Sequence, residues 1–250
     1  MIRFSLILVL AIHGALNAAI VEEQDQHAGA TFRVVRLDPS KVQVVWKDHN
    51  GAAFRSFDRV QAAFASEKKS VAFIMNAGIF EPNGIPSGLH VERGKTLHQL
   101  NLADAPGNFF LKPNGVIWIE SKDQHASPHI AASTEFSQRE QALRASPTTI
   151  DLAVQSGPML LLDGSRHPAF RENSSSKLHR NGVGIDASGK LVFAITAPGQ
   201  VVNLWDFAGL FLKLDCKNSL FLDGDISQMA VNPTAPVRSN LFGAMFVVVE

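Results

Sequence analysis

The sequence predicts a single α+β domain, with a mixed, mostly antiparallel β-sheet core built from hairpins and about three helices. Three observations lead there. Apolar runs with strand-like patterning come in pairs, separated by turns containing Gly, Asn or Asp. A few stretches carry apolar residues at helical spacing behind a capping residue. No linker, repeat or low-complexity tract divides the chain, and 250 residues can bury a large core without a disulfide or metal staple.

At the N-terminus, Met1-Ile2-Arg3 supplies one positive charge, Phe4 to Leu16 is nearly all apolar, and Ala18 and Ala19 precede the polar run Glu22-Glu23-Gln24-Asp25-Gln26. Some 13 apolar residues are too few to span a bilayer. The layout is that of a signal peptide over residues 1–19, which predicts a periplasmic or secreted protein with no stable membrane span once it is cleaved. The globular domain is expected over residues 30–250.

"TFRVVRLD" and "KVQVVWKD" read as neighbouring antiparallel strands, turning at Asp38-Pro39-Ser40. Ser56 caps a helix with Phe57, Val60 and Phe64 on one face. "SVAFIMNAG" is a buried strand running into glycine. "GLHVERGKTLH" is a hairpin around Arg93-Gly94, and "NFFLKPNGVIWIE" a second, turning at Pro113-Asn114-Gly115. Ser137 and Glu140 fit a capping box for a helix reaching about Arg144. "IDLAVQSGPMLLLDG" is a strand, a break at Gly157-Pro158, a second strand and a turn. "NGVGIDASGKLVFAIT" is a hairpin. Asn203 caps an amphipathic helix carrying Leu204, Phe207, Phe211 and Leu214. "SLFLDG" and the closing "GAMFVVVE" bring the total to about ten strands.

Composition removes several function classes. Lys+Arg and Asp+Glu are both 23 and no basic block occurs, so nucleic acid is not expected as a partner. The one cysteine, Cys216, reads as a packed small hydrophobe. His125 and His129 have a zinc-ligand spacing, but Pro128 lies between them in a polar stretch read as a solvated loop. No metal site or cofactor is predicted. Trp46, Trp118 and Trp205 read as packing residues.

Four buried-looking strands end in polar and glycine residues: Asn76, Gly78 and Phe80; Gln155, Ser156 and Gly157; Arg180 and Asn181; Asp223 and Gly224. Apolar strands that deliver polar groups at their ends are a common way to build a site. Each group also suits a plainer role: Asn76 a turn, Gln155 and Ser156 a bend, Arg180 a surface cation, Asp223-Gly224 a strand-ending turn. Residue types and spacing leave that choice open.

"MNAGIF", "GLHVERGK", "GNFFLKPNGV", "QSGPMLLLDG", "HPAF", "RNGVGID", "LVFAIT" and "LFLDGDIS" occur in this order. Together they resemble the phosphodiester glycosidase family over about residues 30 to 249. The likeness is to uncovering enzyme-like members, and most of all to a bacterial exported branch labelled exopolysaccharide-biosynthesis-like. The family's motifs fall on Asn76 to Phe80, on Arg180, and on Leu222 to Ser227. Asp225 and Ile226 depart from it, standing where glycines are usual.

The resemblance implies cleavage of a sugar-1-phosphodiester, N-acetylglucosamine-1-phosphodiester-like, in cell-envelope or exopolysaccharide metabolism. It assigns Asp223 as nucleophile or general base and Arg180 as the phosphate-holding cation, both catalytic. Asn76, Gly78, Gln155, Ser156, Gly157, Gly224, Asp225 and Ser227 would bind the substrate. Lys177 or His179 could also meet the phosphate. Two other readings stand beside it: a non-catalytic sugar-phosphate-binding protein of the envelope, and a metal-dependent phosphodiesterase using Asp223 and Asp225 as ligands.

Overall fold

The computed structural model describes residues 19–123, 125–143 and 146–250. Residues 1–18, nearly all of the predicted signal segment, lie outside these, as does Arg144. Three antiparallel sheets surround one core. The seven-stranded sheet runs Glu22–His27, Ala30–Leu37, Leu191–Thr196, Asn181–Ile185, Ser219–Asp223, Met159–Leu162, Ser165–Arg166. The five-stranded sheet runs His125–Ala132, Gly115–Lys122, Thr149–Ser156, His90–Glu92, Lys95–His98. The four-stranded sheet runs Met229–Val231, Val71–Asn76, Met245–Val249, Val42–Val45.

Val35, Phe73, Ile117, Val154, Phe193, Leu220 and Phe246, drawn from all three sheets, meet in the shared core. Each sheet is covered on its outer face by one helix. Leu204–Lys213 covers the seven-stranded sheet through Phe207 and Phe211, and Phe57–Ser66 covers the four-stranded sheet through Val60 and Phe64. Ser133–Leu143 covers the five-stranded sheet through Phe136. The three helices and dominant antiparallel pairing agree with the α+β class read from the sequence. No helix among the described residues is long and apolar enough to cross a membrane.

Expectations that depend on one turn hold in part: Ser56 starts its helix, but its Oγ bonds Asp58 and makes no cap hydrogen bond to the helix backbone. Asn203 accepts from Asp206 N at 2.8 Å and caps its helix. The hairpins at Arg93-Gly94 and Asp186 to Gly189 form, as does the break at Gly157-Pro158. Trp46 and Trp118 are buried, Trp205 lies beneath Arg166, and burial pushes the Cys216 thiol up to about 12.

Expectations about partners needed correction. Ala30–Leu37 and Val42–Val45 do not pair. The turn Pro39–Lys41 carries the chain from one sheet to another. Asn108–Phe110 is a short 3-10 turn, and the hairpin partner of Gly115–Lys122 is His125–Ala132. That strand was expected to be a solvated loop. It is a sheet edge, where Pro128 is tolerated because one side of the strand needs no ladder donor. The second helix starts at Ser133, so Ser137 lies inside it. The polar run after the predicted signal segment is an edge strand, Glu22–His27, paired along its length with Ala30–Leu37. With such edges and short ribbons included, the described residues hold eighteen strands rather than about ten.

Candidate active site

Val71–Asn76 and Ser219–Asp223 belong to different sheets, yet their C-terminal ends meet. The meeting depends on a bulge. Gly182 pairs with Phe221, but Asn181 pairs with Asp223, leaving Leu222 as an extra residue. A bulge breaks strand alternation and re-aims the side chains beyond it. Here Leu222 stays in the shared core while Asp223 turns to Asn76 of the neighbouring sheet.

The two asparagines form the frame. Asn181 Nδ2 donates to Asn76 O (3.1 Å) and Oδ1 (3.2 Å), and Asn181 Oδ1 accepts from Asp223 N at 2.7 Å. Asn76 Oδ1 also accepts from Gln228 N at 2.9 Å. Its amide nitrogen is thereby aimed at Asp223 Oδ2 (3.4 Å) and Ser227 Oγ (3.5 Å). Both asparagines are buried, as is Ser227. Gly224 N donates to Asp223 Oδ1 at 2.7 Å.

Asp223 is therefore half-buried and held by neutral donors alone. Burial pushes its carboxyl up to about 6, against the pull of the Gly224 and Asn76 hydrogen bonds. At neutral pH it is mostly ionised and weakly solvated, which suits a nucleophile or base. Beside it, a Cβ added to Gly224 would meet only His179 O at 4.0 Å, so the space next to the carboxylate is open.

His179 ties the segment after Asp223 in place. Its Nε2 lies 3.0 Å from Ser227 O and its Nδ1 lies 2.6 Å from Thr196 Oγ1. A carbonyl only accepts, so Nε2 carries a proton. Thr196 Oγ1 also accepts from Arg180 N at 3.1 Å, which ties His179 to the start of the neighbouring strand. Asp225 is exposed and accepts from His179 N at 3.2 Å; it is not hydrogen-bonded to Asp223.

Arg180 sits differently from the expectation of a phosphate fork beside Asp223. The guanidinium lies over Phe221, on the helix-covered face of the sheet, and the residue is 1% exposed. Nε donates to Val202 O (2.8 Å) and one terminal nitrogen to Ser176 O (3.0 Å), while Nη1 is buried without a partner. Burial lowers its pKa to about 10, so it stays charged at neutral pH.

The Gln155 group separates from the site. Gln155 Oε1 accepts from Leu89 N (3.0 Å) and Asn101 N (2.9 Å), and Nε2 donates to Asn101 O (2.6 Å) and Ser133 Oγ (3.0 Å). No hydrogen-bonding capacity is left for a sugar. Ser156 Oγ donates to Leu222 O (2.9 Å) and accepts from Ile79 N (3.3 Å), bracing the bulge from behind. Gly78 and Gly157 are close-packing positions: an added Cβ would lie 2.7 Å from Gln155 O and 2.6 Å from Asn114 Cβ. Of the predicted residues, the structure gathers Asn76, Asp223, Gly224, Asp225 and Ser227 at one mouth. Asn181, Thr196 and Gln228 join them. Thr196 carries the same signal as the others, a buried strand ending on a polar group.

Residues 69–244 match the sequence family described as phosphodiester glycosidase. The chain belongs to the phosphodiester glycosidase family. It is 36% identical over 202 residues to the uncharacterized protein YigE of Escherichia coli (strain K12), covering 80% of this chain and 74% of that one. The fold is similar to the catalytic domain of zebrafish N-acetylglucosamine-1-phosphodiester alpha-N-acetylglucosaminidase, auto-inhibited by its pro-peptide. That likeness has a TM-score of 0.62 and 15% identity, over 92% of this chain and 81% of that one. A hypothetical protein from Synechocystis shares it with a TM-score of 0.54 and 14% identity, over 92% and 62% of the respective chains. Among the described residues, Asp223 joins a carboxyl pushed up to about 6 by burial with open space at the adjacent Gly224.

Proposed function

We propose that the protein is an exported hydrolase that cleaves the anomeric carbon–oxygen bond of a sugar-1-phosphodiester in cell-envelope or exopolysaccharide metabolism. The observation that carries this reading is Asp223: half-buried, held by neutral donors, pushed up to about 6, and opening onto the space at Gly224. Family membership supports the substrate class, and the signal-like residues 1–19 support export.

The bond makes modest demands. A phosphate monoester has a second pKa of about 6, so it departs without the strong general acid that a sugar alcohol needs. Asp223 attacks the anomeric carbon or deprotonates a water that does. The C–O bond breaks, its electron pair leaves with the phosphate monoester, and water supplies the sugar's new hydroxyl. Asn76 holds the carboxylate's orientation, and Ser227 Oγ, which accepts from Asn76 Nδ2 at 3.5 Å, keeps its own proton to donate to the sugar. Arg180 contributes positive potential from beneath the sheet end, and Lys177, exposed and two residues before His179, is the cation proposed to meet the phosphate.

Product analysis tests this. The protein is incubated with N-acetylglucosamine-1-phosphodiesters, with and without chelator. Free sugar plus a phosphate monoester, lost in Asp223→Asn, is expected. Sugar-1-phosphate as product, abolished by chelator, would replace it with metal-dependent phosphodiesterase chemistry. Binding without turnover would make it a sugar-phosphate-binding protein.

A further inference from the structure

Single exposed apolar residues are ordinary on a protein surface, but their clustering is not. The well-exposed large hydrophobic residues among those described are Val21, Ile85, Leu102, Leu178, Val201, Ile226 and Leu241. Four of these seven lie in or beside the segment just after Asp223. Ile226, 38% exposed, is in the segment itself. On one side stands Leu241, 59% exposed. Its neighbour Asn240 donates through Nδ2 to Ile226 O (2.9 Å) and through its backbone to Gln228 Oε1 (2.6 Å). Ile85 extends this flank, because the adjacent Gly84 packs against Gly243. On the other side stands Leu178, next to His179, which holds both Asp225 and Ser227.

A phosphodiester joins two alcohols. With the sugar at the polar end beside Asn76 and Asp223, the second alcohol leaves across this rim. Asn240 and the backbone of His179 are committed to holding the loop, and beside the exposed Asp225 and Lys177 the rim exposes the apolar side chains of Ile226, Leu241 and Leu178.

We propose that the substrate is a sugar-1-phosphodiester whose second alcohol is apolar, seated between Ile226–Leu241 on one side and Leu178 on the other. This rests on the glycosidase reading of the Asp223 site. It differs from that reading in what it predicts, because it concerns only the leaving monoester.

The test uses the purified protein with N-acetylglucosamine-1-phosphate methyl, butyl, hexyl and octyl diesters. Burial of each methylene is worth a factor of about two to four, so kcat/KM should rise at least about tenfold from methyl to hexyl. Ile226→Ser and Leu241→Ser should flatten that rise, while Val21→Ser, at an exposed position just before the strand Glu22–His27, should leave it intact. Titration with methyl and octyl phosphate, read by calorimetry, makes the same comparison without turnover; octyl phosphate should bind at least about tenfold tighter. Turnover of every diester at one rate, or equal binding of the two monoesters, overturns the apolar alcohol and leaves the glycosidase standing. A steep series that both rim variants leave unchanged overturns the assigned residues. Absence of turnover with tight octyl phosphate binding overturns the glycosidase and keeps the apolar rim.

Discussion

Glu120 lies buried within the five-stranded sheet, and Asp223 lies half-buried at the end of a strand of the seven-stranded one. Glu120 accepts from Arg139 Nε (2.8 Å) and Nη2 (2.6 Å) and from Trp118 Nε1 (2.9 Å). The Arg139 guanidinium holds its carboxyl below the usual carboxylate range. Asp223 has a backbone N–H at 2.7 Å and a long amide contact at 3.4 Å, and its carboxyl rises to about 6. Burial is shared by the two; saturation is not. A carboxylate whose lone pairs are filled by a cation is held for the fold, and one left under-solvated beside open space is available for chemistry. Gln155 makes the same point for neutral groups, with four hydrogen bonds and no capacity left.

The largest expected effect breaks or keeps that contrast. Asp223→Asn should lower kcat/KM about a thousandfold, the scale of losing a positioned base or nucleophile. Glu120→Gln should change it less than about threefold. A variant Asp223→Asn with a tenth or more of the parent activity would end the assignment. Gln155→Ala comes next and moves stability instead. It leaves Leu89 N, Asn101 N and Asn101 O without partners in the interior, so urea denaturation should show a loss of about 2–4 kcal/mol. KM per folded molecule should hold. A KM effect with unchanged stability would return Gln155 to the substrate.

Gln155 also shows what a sequence can and cannot carry. Its position at a strand end is legible in "VQSGPML", as are Asn76 and Asp223 in theirs, because strand patterning and turn chemistry are local. Its saturation depends on Leu89, Asn101 and Ser133, brought from separate segments, and no spacing announces them. The same limit explains the strands. Hairpins at Arg93-Gly94 and Asp186 to Gly189 are decided by adjacent residues. Ala30–Leu37 and Val42–Val45 look alike as a pair, yet their partners are Leu191–Thr196 and Met245–Val249 at the far end of the chain. Edge strands are hidden for a further reason. Glu22–His27 has little apolar patterning because it lies at the rim of its sheet, and Pro128 disguises His125–Ala132. Arg180 at a strand end is legible in the sequence, but the face it takes is set by strand parity against Asn181, which the bulge at Leu222 uncouples from Asp223.

A smaller effect sharpens the carboxylate comparison through pH. Glu120 has a folded pKa below its ordinary 4.5, so its pairing stabilises the fold above that pH and is lost as pH falls. Glu120→Gln should cost about 2 kcal/mol at pH 7 and converge on the parent toward pH 3, followed by thermal unfolding across pH.

Asp223 should show the opposite slope. Its folded pKa of about 6 exceeds the ordinary 3.8, so the folded state binds more protons than the unfolded state between those values. Stability contributed by this residue is therefore full below about pH 3.8 and is lost as pH rises through 6. Asp223→Asn removes that loss. The exchange of an oxygen for an amide beside Asn76 and Gly224 N adds an offset of either sign, but one that does not vary with pH. The readout is accordingly the slope: the stability of Asp223→Asn relative to the parent should increase by roughly 2 kcal/mol from pH 4 to pH 7.5. The parent's kcat/KM should fall on the acid side with a midpoint near the same pH 6, because the ionised carboxylate is the working form. A flat stability difference with an acid limb near 4 would mean that Asp223 is solvated like a surface carboxylate, and the contrast with Glu120 would lose its physical basis.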